Sequence, residues 1–221
     1  MTESPRVLIV EDHALLAESL ALALRLRNID DVEICDPSAL DAASVLATAE
    51  HAKPDVVLLD VFLGDFGVSI PMIEPLSQTG AKILILTASQ DRVVLARCLE
   101  AGAAGVFDKA QPFDELLTWV IDAAVGRTTM RPAAREALLA ELADHRRDTD
   151  ELRSLFKQLT DREAEVLTAI VEGANADEIA GRQHVAVSTV RSHIRSILDK
   201  LGVNSQLAAV ALARRAGWPH G

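Results

Sequence analysis

Short apolar runs rich in Val, Ile and Leu recur through the first half of this chain and alternate with stretches of helical periodicity. Continuous runs of this kind are typical of parallel strands that are buried on both faces of a sheet. The alternation therefore predicts an α/β domain in which a doubly wound, five-stranded parallel sheet is covered by helices on both faces. The predicted strands are 6–10, 32–35, 56–59, 83–86 and 105–107, and the predicted helices are 13–27, 38–50, 68–79, 91–101 and 112–125.

Polar side chains follow several of these runs, at the point where each strand is predicted to end. The carboxyl ends of parallel strands meet at one edge of a doubly wound sheet. We therefore expect three carboxylates, one hydroxyl and one ammonium group to converge on a single crevice. The five residues, each placed within two positions of the end of a run, are Glu11, Asp12, Asp60, Thr87 and Lys109.

The three carboxylates suit a divalent metal ion. Carboxylates that are packed together repel one another, and Mg²⁺ relieves this repulsion because it prefers oxygen ligands. Glu11, Asp12 and Asp60 are therefore candidate metal ligands, and the backbone carbonyl of Phe62 could supply a further oxygen.

The same crevice suits a phosphoryl group. A carboxylate oxygen of Asp60 could attack a phosphoryl donor and form an acyl phosphate, while Lys109 neutralises the charge of the transferring group. The Thr87 hydroxyl could then hydrogen-bond the phosphoryl oxygens. Each residue alone has an ordinary explanation as a turn, cap or surface residue, but their combination at the ends of four strands favours this chemistry.

A segment of different composition follows the predicted sheet. It is rich in Ala, Leu, Arg and Glu and predicts a helix over 131–153. Its apolar residues fall on a rough heptad frame, which His145 and Thr149 interrupt, and polar residues on the seam weaken a coiled coil. The pattern favours a linker helix that rests on the next domain over a helix that zips two copies together. The apolar residues of this frame are Leu138, Leu142, Leu152, Phe156 and Leu159.

Four short helices are predicted in the C-terminal part of the chain. Thr160 and Glu163 form a capping box that begins the first of them, and Gly202 suits the end of the third. A tight connection before the third helix is typical of a helix-turn-helix unit. The predicted helices are 160–171, 176–183, 188–201 and 205–216.

The third of these helices has an apolar stripe and a basic face. The stripe has the spacing of a helix that packs by one side, and it consists of Val190, Ile194, Ile197, Leu198 and Leu201. Arg191, Ser192 and Arg195 lie on the opposite side. Arginine binds guanine edges or phosphates, so this face is a candidate DNA-binding surface, although a solvated surface helix would show the same periodicity.

Charge and composition limit the remaining possibilities. Residues 1–126 carry 8 Lys and Arg against 20 Asp and Glu, whereas residues 154–221 carry 8 against 7. The acidic first part is unsuited to nucleic acid, so DNA binding depends on where the basic residues of the second part cluster.

We find no secretory leader and no apolar run of membrane-spanning length, and we expect a cytoplasmic protein without membrane contact. Cys35 and Cys98 are expected to fill the core.

Residues 6–125 resemble the receiver domain of bacterial two-component response regulators, which has a flavodoxin-like fold. The matching segments are VLIVEDH, VVLLDV, ILILTAS and GAAGVFDKA. The resemblance implies that Asp60 accepts a phosphoryl group from a phosphohistidine on a sensor histidine kinase, with Mg²⁺ at Glu11 and Asp12. It also implies that Thr87 is the switch hydroxyl and that Lys109 contacts the phosphoryl group.

Two positions depart from the usual receiver pattern. Val106 stands where such receivers usually carry an aromatic switch residue, and strand alternation should turn the neighbouring Phe107 to the other side of the sheet. The segment VFLGDFG after Asp60 lacks the usual proline. We expect the bulky Phe62 in this segment to hinder the hydrolytic water and to lengthen the life of the phosphoryl group.

Residues 159–216 resemble the LuxR-type helix-turn-helix domain of the NarL/FixJ response regulators. The matching segments are LTDREAEVLTAIVEG, ADEIAGRQHVAVSTVRSHIRSILDKLGV and SQLAAVALARR. The resemblance implies a base-reading face made of Arg191, Ser192 and Arg195. It also suggests contacts to the DNA backbone from Thr189, His193, Lys200 and Ser188, and Ser188 is further expected to cap its helix.

The whole chain is identified as a member of the NarL/FixJ response regulators, with no enzyme activity expected. The expected domains are a receiver (1–126), a helical linker (127–153) and a DNA-binding domain (154–221). Phosphorylation of Asp60 would change the receiver face formed by its fourth and fifth helices, and this change would promote dimerisation or release the DNA-binding unit. Homodimers would then bind paired half-sites in double-stranded promoter DNA.

Three other interpretations are weighed against this one. A regulator that binds DNA without using phosphorylation is favoured only by Val106. An aspartyl-phosphate phosphatase would need a second Asp two residues after Asp60, where this chain has Phe62. An interaction module that no longer meets DNA would leave Arg191 and Arg195 without a role.

Overall fold

A parallel sheet forms the centre of the first part of the chain. The computed structural model describes residues 4–36 and 41–218, and within these residues five parallel strands pair in the order β2-β1-β3-β4-β5. The strands are β1 (Val7–Val10), β2 (Val32–Ile34), β3 (Val56–Asp60), β4 (Lys82–Thr87) and β5 (Gly105–Asp108). The order reverses between β1 and β3, which is where doubly wound sheets open a crevice at their carboxyl edge.

Helices cover both faces of this sheet and give it two apolar cores. The first core contains α2, α3 and α4, and the second contains α1 and α5. The helices are α1 (Ala14–Arg25), α2 (Ala42–Ala52), α3 (Ile70–Gln78), α4 (Arg92–Glu100) and α5 (Phe113–Ala124). Strands β1 and β3 are buried on both sides, which explains why their sequences are continuous apolar runs. The predicted α/β class is confirmed.

Two predicted helices begin at different residues in the structure. The first residues of predicted helix 38–50 lie outside the described residues, and α2 begins after Asp41, whose carboxylate accepts hydrogen bonds from the first turn. Helix α3 forms although Pro71 and Pro75 both lie in it. Pro71 occupies the first turn, where a missing amide costs little, and the burial of Met72 and Ile73 offsets the bond that Pro75 cannot make.

A small hairpin follows Asp60 where the sequence suggested only a loop. Phe62–Leu63 pairs antiparallel with Gly67–Val68, and a single 3₁₀ turn, Gly64–Phe66, connects them. We call these residues, 62–68, the acceptor hairpin. Gly64 and Gly67 both have positive φ angles, of 37° and 81°, which glycine adopts without strain. Strands of two residues are too short to leave a periodic pattern in the sequence.

Helix α6 (Pro132–Phe156) belongs to both parts of the chain. The structure divides into two compact units, Met1–Leu142 and Ala143–Gly221. Leu138 and Leu142 are buried in the first core of the sheet unit, whereas Phe156 is buried in the core of the second unit. The predicted helix is therefore confirmed, but its first half packs on the preceding domain as well, because the heptad residues are divided between two cores.

The second unit is a group of short helices. They are α7 (Asp161–Val171), α8 (Ala176–Gln183), α9 (Val187–Leu201) and α10 (Gln206–Arg215), as the sequence predicted. The predicted capping box of Thr160 and Glu163 is present, and Asn175 with Glu178 forms a second one. Gly202 ends α9 in the left-handed conformation, at a φ of 67°, as predicted.

The predicted helix cap at Ser188 is wrong. Helix α9 begins at Val187, the capping position is Ala186, and no side chain caps this end. Val187 packs against the core of the second unit, which favours a helix that begins one residue earlier than predicted. Ser188 is therefore exposed in the first turn of α9.

Both cysteines fill the core, as predicted. Cys35 and Cys98 are buried on the same side of the sheet, in its first core. Burial raises the pKa of each thiol to about 11. Among the described residues, no helix combines the length and apolar character that a membrane span requires.

Candidate functional site

The sheet register brings the predicted polar residues to one edge. Asp60, the last residue of β3, lies beside Leu86 in β4. Thr87 follows Leu86 and lies beside Asp108 in β5, directly before Lys109. The ends of β3, β4 and β5 therefore place a carboxylate, a hydroxyl and an ammonium group side by side.

Lys109 joins two of the predicted carboxylates. Its Nζ donates hydrogen bonds to Oε2 of Glu11 and to Oδ2 of Asp60, both at 2.7 Å. Burial alone would lower the pKa of Lys109, but the hydrogen bonds to Asp60 and Glu11 outweigh burial and raise it. Because Glu11 is fully buried, its charge depends on this shared cation for compensation.

The backbone around Asp60 fixes the position of its carboxylate. The amide of Phe62 donates to Oδ1 of Asp60 at 3.3 Å, and the Ser69 hydroxyl donates to the Asp60 carbonyl at 2.6 Å. The amide of Ser69 also donates to the Val61 carbonyl at 2.8 Å. Ser69 is fully buried and thus ties the far end of the acceptor hairpin to the end of β3. It lies nine residues from Asp60, and nothing in the sequence signalled this contact.

Asp12 and His13 form the outer part of the pocket. Nδ1 of His13 lies 2.9 Å from Oδ1 of Asp12 and 3.1 Å from Oε1 of Glu11. The hydrogen bond to Glu11 and the charge of Asp12 raise the pKa of His13. The sequence reasoning did not select His13, although it directly follows the acidic pair.

Three side chains of the pocket offer atoms that could hold a divalent metal ion. Ligand atoms of Glu11, Asp12 and His13 lie within 4.8 Å of one another, and Asp60, a predicted ligand, is not in this group. A Cβ added to Gly64 would come within 3.1 Å of Oδ2 of Asp12, so the acceptor hairpin closes on this carboxylate. Grouped carboxylate oxygens beside a backbone turn are the donors that a hard divalent cation prefers.

Thr87 and Val106 lie next to the pocket. The Thr87 hydroxyl is buried and accepts a hydrogen bond from the amide of Ser89 at 2.9 Å. Val106 packs into the first core, whereas Phe107 lies in the second core with its ring 5.4 Å from that of Trp119. Phe107 and Val106 thus lie on opposite faces of the sheet, as strand alternation predicted.

Helix α9 exposes the predicted DNA-binding face of the second unit. Its apolar stripe is buried, with Val190 and Ile197 almost inaccessible to solvent. The opposite side is exposed along the first three turns, and His193 is half-buried beside it. The exposed residues on this side are Ser188, Thr189, Arg191, Ser192 and Arg195.

Lys200, which the family resemblance suggested as a DNA contact, has an internal partner. Its Nζ lies 2.6 Å from Oε2 of Glu163, and the Ser196 hydroxyl donates to Oε1 of Glu163 at 2.6 Å. The amide of Thr160 donates to Glu163 as well, at 2.7 Å. Burial alone would raise the pKa of Glu163, but these hydrogen bonds lower it to about 2. Lys200 thus belongs to a network that joins α7 to α9, and its contact to the DNA backbone stays a prediction.

Two family models match separate parts of the chain. Residues 7–121 match the response regulator receiver domain, and residues 157–213 match the bacterial regulatory proteins of the luxR family. The first match contains the acidic pocket, and the second contains the exposed face of α9. The receiver match alone spans more than half of the chain.

Known proteins resemble the chain over nearly its whole length. It is 31% identical over 214 residues to the probable transcriptional regulatory protein NarL of Mycobacterium tuberculosis, covering 96% of this chain and 95% of that protein. It is 30% identical over 213 residues to the transcriptional regulatory protein DesR of Bacillus subtilis, covering 96% and 98%.

A solved structure has the same fold. It is that of the two-component response regulator RcsB in complex with DNA, with a TM-score of 0.52, 21% identity, and coverage of 96% of this chain and 99% of that one. At this identity the likeness speaks for the fold alone. The sequence relatives are transcriptional regulators, so the phosphatase interpretation has no support from them. This chain is a two-component response regulator of the NarL/FixJ family, in which a receiver domain precedes a LuxR-type DNA-binding domain.

Proposed function

We propose that Asp60 accepts a phosphoryl group from the phosphohistidine of a sensor histidine kinase, and that this event controls binding of α9 to promoter DNA. The observation that carries the proposal is the pair of 2.7 Å hydrogen bonds through which Lys109 holds Asp60 beside Glu11. This arrangement, in which a carboxylate lies next to a fixed cation at the carboxyl edge of the sheet, supports the proposal. Phosphoryl transfer depends mainly on such positioning and on charge neutralisation.

The reaction needs little from the chain beyond these groups. A carboxylate oxygen of Asp60 forms a bond to phosphorus while the bond from phosphorus to the histidine nitrogen breaks. Lys109 then faces the new phosphoryl oxygens, and the Thr87 hydroxyl can turn from Ser89 to donate to them. Glu11, Asp12, Asp60 and the carbonyl of Phe62 would hold Mg²⁺, which when bound neutralises charge on the phosphoryl group.

The DNA-binding part of the proposal rests on α9. Arg191, Ser192 and Arg195 would read base edges in the major groove, and Ser188 and Thr189 would approach the backbone from the first turn. RcsB, which has the same fold, was solved bound to DNA. We further propose that the phosphorylated chain forms a homodimer that binds paired half-sites, and a cytoplasmic location remains a prediction.

The proposed domains keep the expected boundaries: a receiver (1–126), a linker (127–153) and a DNA-binding domain (154–221). The first part of the linker packs on the receiver, since Leu138 and Leu142 are buried in its core. The linker is therefore a candidate route between the two functions.

The test is the intact mass of the full chain after incubation with a small-molecule phosphodonor and Mg²⁺. We expect a single phosphoryl adduct on the wild type and none on Asp60→Asn. Asp65→Asn is a matched control, because Asp65 is an exposed carboxylate in the acceptor hairpin, and it should be labelled like the wild type. An unlabelled wild type, or a labelled Asp60→Asn, would overturn the proposal and favour the phosphorylation-independent regulator.

A further inference from the structure

A cleft of about 500 Å³ lies beside the acidic pocket, with Thr87 in its lining, and reaches the segment that leads into α6. Thr87 and Val106 line it from the sheet, and Met130, Ala134 and Leu138 line it from the other side. Val106 contributes a small side chain to this lining, at the position where such receivers usually carry a ring. The hydroxyl that is expected to respond to phosphorylation therefore shares a cavity with the start of α6.

Residues 129–142, which we call the docked segment, are held against the sheet unit by polar contacts. The Thr129 hydroxyl donates to the Ala104 carbonyl at 3.2 Å. Arg135 donates to the carbonyls of Leu99 and Ala103, both at 3.0 Å, and so caps the end of α4. Cations at the carboxyl end of a helix are stabilising, because its last carbonyls otherwise lack partners.

Apolar burial and an ion pair hold the rest of the docked segment. Leu138 and Leu142 are 5% and 3% exposed in the first core. Arg92 of α4 pairs with Glu141 through two hydrogen bonds, of 2.5 and 2.6 Å. The docked segment therefore covers the α4 side of the receiver, the surface on which the sequence had suggested that phosphorylation acts.

Gly105 shows how closely the docked segment approaches β5. A Cβ at this position would come within 2.7 Å of the Thr129 hydroxyl and 2.9 Å of the Trp119 ring. Such distances do not occur in stable structures, so the docked segment depends on the absence of a side chain here. The segment is thus fitted to the strand that carries Val106.

We infer that the docked segment responds to phosphorylation, and that Met130 takes over the role of the missing aromatic residue. The inference rests on the proposed phosphorylation of Asp60. When the Thr87 hydroxyl turns from Ser89 toward a phosphoryl group, the wall of the cleft changes. Val106 is too short to follow, whereas Met130 has an unbranched, adaptable side chain and is carried by the docked segment.

The consequence is a change in how the docked segment packs on β5 and α4. Coupling of this kind requires an element with two arrangements that the chemical event biases. Helix α6 is continuous from Pro132 to Phe156, so the element that responds in the first unit also contributes Phe156 to the core of the second.

The test is amide hydrogen exchange of the full chain, with and without a small-molecule phosphodonor and Mg²⁺, with the adduct checked by intact mass. We expect exchange in 129–142 to change several-fold on phosphorylation of the wild type. Met130→Ala should keep the adduct but lose most of this change, and adding Val106→Phe to that variant, which supplies the usual ring, should restore it. Val125→Phe is the control, because Val125 is exposed at the end of α5 and away from the cleft lining.

The outcomes separate the inference from the proposed function. An adduct on the wild type without altered exchange in 129–142 would overturn the inference alone. An unchanged response in Met130→Ala would overturn the role given to Met130 and the cleft. Absence of the adduct would overturn the proposed function and the inference together. If the double variant fails to fold, judged by thermal unfolding, Met130→Ala alone decides between these outcomes.

Discussion

Lys109 is the residue on which the charge balance of the acidic pocket depends, because Glu11 and Asp60 share it. Its two hydrogen bonds leave neither carboxylate without a cation. Removing one partner from a buried ion pair is costly, since the remaining charge stays desolvated. Lys109, which is proposed to neutralise charge on the transferred phosphoryl group, therefore also stabilises the pocket before any phosphorylation.

We expect Lys109→Met to lower the free energy of unfolding of the first unit by about 1–3 kcal/mol. The two carboxylates would then face each other without the ammonium group, and added Mg²⁺ should restore part of the loss. Urea unfolding with and without Mg²⁺ measures both effects. Lys82→Met is the control, because Lys82 is exposed at the start of β4. Equal losses in the two variants would contradict this role of Lys109.

Glu163 makes the second unit sensitive to acid. Its folded pKa of about 2 lies below its ordinary value of 4.5, so its contribution is fully present above the ordinary value and is lost as the pH falls toward 2. Glu163→Gln should therefore be less stable than the wild type by a margin that shrinks over this range. Trp218 fluorescence in a Trp119→Phe background follows the second unit, since Trp218 stacks on Phe156. A margin that is independent of pH would contradict the assignment.

Among the elements, α9 has the clearest division of labour between its two faces. The buried stripe fixes the helix on the second unit, and the exposed side leaves Arg191 and Arg195 free of the core. Lys200 lies on the packed side through its bond to Glu163. An exposed basic helix face is thus presented by a rigidly held element, as major-groove readers require.

We expect Arg191→Ala and Arg195→Ala each to weaken specific DNA binding by about 1–3 kcal/mol, because each removes a guanidinium group from the proposed base-reading face. The measurement uses a duplex enriched by the wild-type protein from random sequences. Arg182→Ala is the control, since Arg182 lies on α8 and pairs with Glu172 at 3.9 Å. Undiminished affinity in both α9 variants would argue for the interaction module that no longer meets DNA.

Two glycines allow a matched test of how tightly β5 and α8 are surrounded. Gly105→Ala should destabilise the first unit by about 1–3 kcal/mol, since the added methyl group meets Thr129 and Trp119. Gly181→Ala should stabilise the second unit by up to about 1 kcal/mol, because Gly181 lies within α8 with nothing near its Cβ position. Chemical unfolding of both variants checks the two signs, and a neutral Gly105→Ala would contradict the close approach of the docked segment.

The sequence predicted those features that repeat along one element. The positions of Asp60 and Thr87 followed from runs that end abruptly, and the buried stripe of α9 followed from helical spacing. The bond between Glu163 and Lys200 joins residues 37 positions apart, and no periodic pattern encodes such a pairing. The packing of α6 on the receiver was missed for a related reason, since an amphipathic pattern does not identify its partner.

At the scale of the whole molecule, charge is distributed against DNA binding. The net charge is −11, and the acidic residues lie mostly in the receiver, while the second unit is close to neutral. Salt screens the long-range repulsion between the acidic receiver and DNA. Salt also weakens direct contacts between basic side chains and phosphates. The basic face of α9 therefore has to act at short range.

Phosphorylation should also change the oligomeric state of the full chain. We expect the phosphorylated protein to sediment at about twice the monomer mass, since paired half-sites are matched by two-fold symmetric dimers. Sedimentation of the wild type beside Asp60→Asn, both treated with phosphodonor and Mg²⁺, provides the measurement. A phosphorylated monomer that still binds DNA would show that dimerisation is not the step under control.

The placement of the cysteines makes thiol chemistry a reporter of one part of the molecule. Cys35 and Cys98 both lie in the core beneath α2, α3 and α4, and residues 143–221 contain no cysteine. With a pKa of about 11, roughly one thiol in 10⁴ is ionised near neutral pH, and neither is exposed to reagents. The rate of alkylation therefore measures how often this core opens, and a cysteine introduced at the surface of either unit can be labelled without removing the native pair.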